Sequence, residues 1–233
     1  RYRRQVVRFK RYTPKRLGSE LRAEVKRLTG EKVTIRYREL ANKVNINTKS
    51  MVVTINPNEE FTSLDLERLK IHEIGTHYMR AYNGRQFGLR LLEEGTRNYI
   101  QTEEGLAAYM EELGGVLSQA QLYIYAGRTI ATYYALKKSF YEVFMILKEY
   151  GFKDSDAYTI TLRAKRNLCD TSQPGGFTKD YAYFKGYHMV KDFARYHDIR
   201  DLFIGKITLD DRKYIAPFIK QYREQVKTIF EDE

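Results

Sequence analysis

Residues 69–80, LKIHEIGTHYMR, bring His72, Glu73 and His77 within six positions of one another. Two imidazoles and a carboxylate this close are the raw material of a hydrolytic metal site. Zinc in such a site takes three protein ligands from His, Asp, Glu or Cys and leaves a fourth position for water, whose pKa it lowers towards neutrality. The common pattern, H-E-x-x-H, sets both histidines one helical turn apart on one face. Here the spacer is one residue longer. On a regular α-helix, residues five apart diverge by roughly 140°, so His72 and His77 could not both reach one ion. A wide turn of the i to i+5 kind returns them to one side, and such π-bulges concentrate at functional sites. The spacing therefore predicts a local bulge, with Gly75 as the spacer residue best able to tolerate the distortion.

A third ligand must come from elsewhere. The run TEEGLAAYMEE at 102–112 offers Glu104 near the start of a predicted helix, followed by Gly105 and by Ala107 and Ala108, which are small enough for close helix packing. It resembles the gluzincin arrangement, in which the glutamate of an E-G-x-A-x-Y run on a second helix completes the zinc site. The stretch LLEEGT at 91–96 repeats the Glu-Glu-Gly triplet with Glu94 in the matching slot, but it lacks the Leu-Ala-x-Tyr continuation. Glu104 is accordingly favoured over Glu94 and over its neighbour Glu103. Glu73, directly after the first histidine, is suited to take a proton from the nucleophilic water as general base and pass it to a leaving amine. His188 and His197, nine apart on a predicted amphipathic helix, read as surface or packing residues.

Several elements must position these groups. Thr13-Pro14 ahead of LGSELRAEVKRL marks a helix start, with Thr13 as cap and Pro14 at the first helical position. VTIRYREL and VNINTKSMVVTINPN alternate and are rich in β-branched residues, with a turn at Asn47–Ser50, which predicts a small antiparallel sheet over about 33–56. The strand MVVTINPN is either an edge able to pair with an extended peptide or an interior strand. FTSLDLERLK opens the next helix, where Thr62 and Asp65 match a capping box, and that helix runs into the histidines. From Thr102 onward the pattern is helical, punctuated by Gly151, Pro174-Gly175-Gly176 and Gly205. The fold class expected is α+β, predominantly α-helical and zincin-like, with the strands ahead of the active-site helix. We expect one catalytic domain over 1–233, with a basic N-terminal arm over about 1–12.

Bulk properties bound the function. A chain of 233 residues, 42% hydrophobic and 14% aromatic, can bury a substantial core. Its single cysteine, Cys169, cannot form an internal disulfide, which suits a reducing compartment. No apolar run approaches the roughly 18 residues of a membrane span, and no signal-peptide core is present, so a cytoplasmic protein without membrane association is expected. The chain opens on Arg1 without an initiator methionine, which predicts that it belongs to a longer protein. The net charge of +11 gathers in RYRRQVVRFKRYTPKR, before the first acid at Glu20. Such a field attracts phosphates, acidic peptides or anionic surfaces. No RNA-binding signature or zinc-finger spacing accompanies it, so a nucleic-acid reading rests on charge alone.

HEIGTHYMRAYNG, TEEGLAAY, RAKRNLCDTSQPGGFTKDYAYFKGY and the intervals between them resemble the microtubule-associated tyrosine carboxypeptidases of vertebrates and their bacterial relatives with a Q-E-G-L-A motif. The resemblance covers about residues 60–190. It implies a mostly helical metallopeptidase holding one zinc ion on His72, His77 and Glu104, with Glu73 as catalytic glutamate, that removes a C-terminal residue, tyrosine being the one the family's name points to. Glu103 stands where bacterial relatives often carry Gln, and Asn167 where Gly is expected; both departures bear on the substrate class. A carboxypeptidase needs a fixed cation for the terminal carboxylate, and among Arg163, Lys165, Arg166 and Lys179 the candidates chosen are Arg166 and Lys179. Tyr183 is a candidate donor to the oxyanion. The expected partner is a peptide or protein C-terminus, an acidic one being favoured by the basic arm. The alternatives are a zinc endopeptidase or aminopeptidase, a small-molecule amidase, and a non-catalytic basic nucleic-acid-binding protein with a vestigial site.

Overall fold

The hydroxyl of Thr13 accepts from the Arg16 amide at 3.3 Å, and Pro14 occupies the first turn of helix α1 (Pro14–Thr29), as the sequence predicts. The computed structural model describes residues 10–40 and 42–230. Of the basic arm, residues 1–9 lie outside the described residues. Strand β1 (Arg11–Tyr12) precedes α1, which buries Leu17, Leu21, Val25 and Leu28 along one stripe and ends at Gly30, a left-handed cap with φ 79°.

Strands β2 (Thr34–Tyr37), β3 (Val44–Asn47) and β4 (Val52–Ile55) form one sheet in the order β2-β4-β3. The sheet is mixed rather than antiparallel throughout. β3 and β4 make the expected hairpin, with Val44 opposite Ile55, and Asn47 Oδ1 accepts from the Lys49 and Ser50 amides at 3.1 and 3.0 Å to shape the turn. β2 runs parallel to β4, with Thr34 opposite Val52. The reason lies in composition. Val52, Val53 and Ile55 of β4 are all buried, so this strand is apolar on both faces and takes the centre, leaving the more polar β2 and β3 at the edges. MVVTINPN is therefore an interior strand and offers no free edge to a peptide.

A short antiparallel pair joins β1 to β5 (Phe61–Thr62). Helix α2 (Ser63–Leu69) then starts from the predicted capping box: the Thr62 hydroxyl accepts from the Asp65 amide at 3.1 Å, and Asp65 accepts from the Thr62 amide at 2.8 Å. Without a break it becomes a π-helical segment, Lys70–Tyr78, and then α3 (Met79–Gln86). The far end of this composite helix is fixed by buried polar anchors. Arg80 donates to the carbonyls of Leu202 and Ile207, both at 2.8 Å, and Asn83 donates to those of Phe203 and Lys227, both at 2.9 Å. The short helix α4 (Arg90–Glu94) follows.

The chain divides into two compact units. The elements so far, with a 3₁₀ turn at Ile199–Ile204 and the short helix α10 (Ala216–Tyr222) near the end of the chain, belong to the first; Asn98–His197 form the second. That second unit is all helix: α5 (Ile100–Leu113), α6 (Gln119–Ala135), α7 (Phe140–Glu149), α8 (Asp154–Lys165) and α9 (Tyr181–Phe193). Its core gathers Ala131, Ala135, Val143, Leu147, Phe152, Ala157, Ile160 and Ala164, small residues alternating with large ones so that helices approach closely. The molecule is thus α+β and predominantly helical. Among the described residues no helix is long and apolar enough to cross a membrane.

Helices α5 and α9 approach backbone to backbone. A Cβ on Gly105 would lie 2.1 Å from the Gly186 carbonyl carbon, and one on Gly186 would lie 2.1 Å from the Gln101 carbonyl oxygen. Backbone against backbone leaves no side chain to swing aside. Gly105→Ala should therefore destabilise the protein by about 2 kcal/mol: an overpacking cost of about 3 kcal/mol, offset by about 1 kcal/mol of helix propensity. Urea unfolding reads this as a lower midpoint, and an unchanged midpoint would show that the two helices separate freely.

Candidate functional site

His72 and His77 lie inside the π-helical segment. In that register the backbone closes from i to i+5, so residues five apart come to the same side of the helix. The two rings sit edge-on with centroids 4.9 Å apart, and each offers a ring nitrogen within 4.8 Å of the other's. The wide register extends over nine residues rather than one bulged turn. The Thr76 hydroxyl donates to the Ile71 carbonyl at 3.0 Å, also five residues back. The φ of Gly75 is not positive, and the constraint on it is contact: a Cβ there would meet Ile229 Cδ1 at 2.8 Å and the Lys70 carbonyl oxygen at 3.1 Å. Glu73 is half-buried in the same segment, next to the first imidazole. Two imidazoles with ring nitrogens this close suit one small divalent cation.

Glu104 belongs to the second unit, in the first half of α5, and is 4% exposed. A carboxylate so deeply buried needs positive charge or hydrogen bonds. Lys179 Nζ lies 2.9 Å from Oε1, and the Tyr183 hydroxyl donates to the same carboxylate. Burial pulls the Lys179 ammonium down, but Glu104 outweighs it and the group is held above the usual lysine range. Burial, reinforced by Glu104, holds the Tyr183 phenol far above its ordinary value, so it stays a proton donor. Glu104, Lys179 and Tyr183 thus form one cluster. Of the rival acids, Glu94 pairs with Arg90 at 2.9 Å on the surface of α4, and Glu103, the neighbour of Glu104 on α5, is buried too.

The remaining cations of the glycine-rich segment are engaged. Arg163 clasps the buried Asp180 through two bonds of 2.6 and 3.1 Å. Arg166 donates to the same carboxylate at 3.2 Å, with its guanidinium 3.6 Å above the Phe177 ring. Lys165, 1% exposed, donates to the carbonyls of Ala135, Lys138 and Gln173. It staples the loop and is not available to a substrate. His188 is an exposed side chain packed edge-on against Phe184 and Tyr187, and exposed His197 lies against Phe193, in line with their reading as surface or packing residues.

Two side chains without a part in the sequence-based expectations complete the cluster. Asp180 anchors both arginines. Arg128, on α6, lies over the rings of Tyr125 and Tyr183, 5.4 and 5.7 Å from their centroids. A signal for it exists in the sequence: Arg128 is the one charged residue in the seventeen of α6.

The sequence profile of the microtubule-associated tyrosine carboxypeptidase family matches residues 3–223. This chain belongs to that family. It is 30% identical over 187 residues to mouse microtubule-associated tyrosine carboxypeptidase 1, covering 70% of this chain and 39% of that protein. With the human protein of the same name it shares 34% identity over 162 residues, covering 65% of this chain and 33% of the relative. The matched stretch therefore spans well under half of each relative's length. Asn167, where the sequence resemblance leads one to expect Gly, has φ 70°, a left-handed conformation that Asn tolerates better than most residues.

Proposed function

We propose that this chain is the catalytic portion of a zinc-dependent carboxypeptidase that hydrolyses the last peptide bond of a protein or peptide, releasing a C-terminal residue. Tyrosine is the first choice for that residue because the relatives are named tyrosine carboxypeptidases. The observation that carries the reading is the π-helical register that sets the rings of His72 and His77 side by side. An i to i+5 register sustained over nine residues is rare in proteins, and its return of two metal-binding side chains to one side is a use that accounts for it.

In this reading His72, His77 and Glu104 hold the ion. Two imidazoles and a carboxylate are a donor set that zinc accepts. When bound, zinc polarises the scissile carbonyl and makes water acidic enough to react near neutral pH. Glu73 receives the proton of the attacking water and delivers it to the departing amine. Tyr183, kept protonated by burial, would turn its one proton from Glu104 to the oxyanion formed at the scissile carbonyl. Lys179 balances the charge of Glu104 and fixes its orientation. The net charge of +11 favours an acidic polypeptide end.

The test is a pair of peptides ending in tyrosine, one with a free carboxylate and one amidated. The free acid should lose its single terminal residue. Amidation should suppress cleavage, and chelation should abolish it until zinc is restored. Cleavage inside the amidated peptide would replace this reading with an endopeptidase. Absence of any cleavage, with salt-sensitive binding to nucleic acid, would replace it with a binding protein.

A further inference from the structure

A buried cation normally finds oxygen partners. Among the described residues the buried Arg80 has two carbonyls and the buried Lys165 three, and the half-buried Arg163 has a carboxylate. Arg128 differs. Its Nε is buried and makes no hydrogen bond among the described residues, and its guanidinium rests against two phenol faces. Tyr125 and Tyr183 are stacked, with centroids 5.1 Å apart at 23°, and so form a rigid platform under that guanidinium. Burial and the like charge of Arg163 both act against its positive charge. Asp180, the acid whose charge acts on Arg128, is already clasped by Arg163 and Arg166. Among Arg128, Arg163 and Arg166, three positive charges face one carboxylate, and the pre-positioned fork of Arg128 is the one that carboxylate does not engage.

We infer that Arg128 is the side chain that grips the substrate's terminal carboxylate. The inference rests on the carboxypeptidase reading and assigns within it the group that distinguishes a free chain end from any other peptide bond. Placement supports the role. The terminal carboxylate of a bound substrate lies only one residue beyond the scissile carbonyl, about 4 Å, so its receptor must stand close to the reacting groups. Arg128 is separated from Glu104 by a single side chain, Tyr183, whose ring it covers and whose hydroxyl bonds Glu104. A planar guanidinium also matches a carboxylate bidentately, which the point charge of Lys179 cannot do. Arg128 thus takes precedence over Arg166 and Lys179, whose charges are occupied by Asp180 and Glu104. The commitment of Arg128 is to an α-carboxylate, not to an acidic side chain.

The experiment uses peptides without Asp or Glu, ending in tyrosine as free acid or amide, with wild type, Arg128→Met and Arg128→Lys. Two readouts are taken: kcat/KM, and calorimetric affinity for the free acid in a Glu73→Gln background. Arg128→Met keeps the stem over the tyrosines. It should cut the free-acid to amide ratio about 100-fold, with zinc content and melting temperature near wild type, and it should weaken free-acid binding by a similar factor. Arg128→Lys keeps charge without the fork and should lose about tenfold; it supplies the answer if the methionine variant does not fold. A wild-type ratio in a folded, zinc-loaded variant would overturn the assignment and leave the carboxypeptidase reading standing. A wild-type protein that ignores amidation would overturn both.

Discussion

Glu73→Gln should bind zinc as the wild type does and release C-terminal residues about 10²–10⁴ times more slowly, the range a general base contributes. Gln keeps the size of the side chain and one acceptor oxygen but cannot hold a proton. The position makes the effect specific. Glu73 follows His72 directly in the π-helical segment and is half-buried, so it is held beside the imidazole pair without being one of the proposed ligands. The loss should fall on kcat, with KM for a free-acid peptide little changed, because proton transfer belongs to the transition state and not to binding. Rate and zinc content measured on the same preparation check it. A variant that keeps wild-type kcat would remove Glu73 from the mechanism, while one that lost its metal would make Glu73 a ligand.

The second large effect is expected at Glu104. Glu104→Ala should emerge from dialysis without stoichiometric zinc and without activity, whereas Glu94→Ala should keep both. The two positions share a Glu-Glu-Gly triplet, but the structure treats them oppositely. Glu104 is 4% exposed beneath Lys179 and Tyr183. Glu94 spends its charge on an i,i+4 pair with Arg90, an interaction worth only about 0.3–0.5 kcal/mol on a helix surface. Removing Glu104 also strands the Lys179 ammonium, so a melting curve must accompany the metal analysis. Zinc retained in a folded Glu104→Ala protein would move the third ligand to another residue.

The helical segments were legible because their signals are local. Thr13-Pro14, the Thr62 and Asp65 box and the stripe of Leu17, Leu21 and Val25 are satisfied within a turn or two of chain, so neighbours in sequence decide them. The π-helical register was readable for a related reason: five-residue spacing of two imidazoles is useless on an α-helix, and only one local change of register makes use of it. Strand order was not legible. Alternation marks where a strand is but says nothing of its neighbour, and β4 took the centre because burial on both faces outweighed the preference for a simple meander.

By itself, then, the sequence determined the segments and the pairing of His72 with His77 on one side of a helix, since each depends on residue types within a few positions. The tertiary structure alone decided which cations are already engaged. Lys165, Arg163 and Arg166 look equivalent in the sequence, yet their partners Ala135, Gln173 and Asp180 arrive from other segments, and Arg128 meets the Tyr183 ring while its Nε makes no hydrogen bond among the described residues. Charge is written in the chain, but its neutralisation is a matter of distances between residues far apart along it.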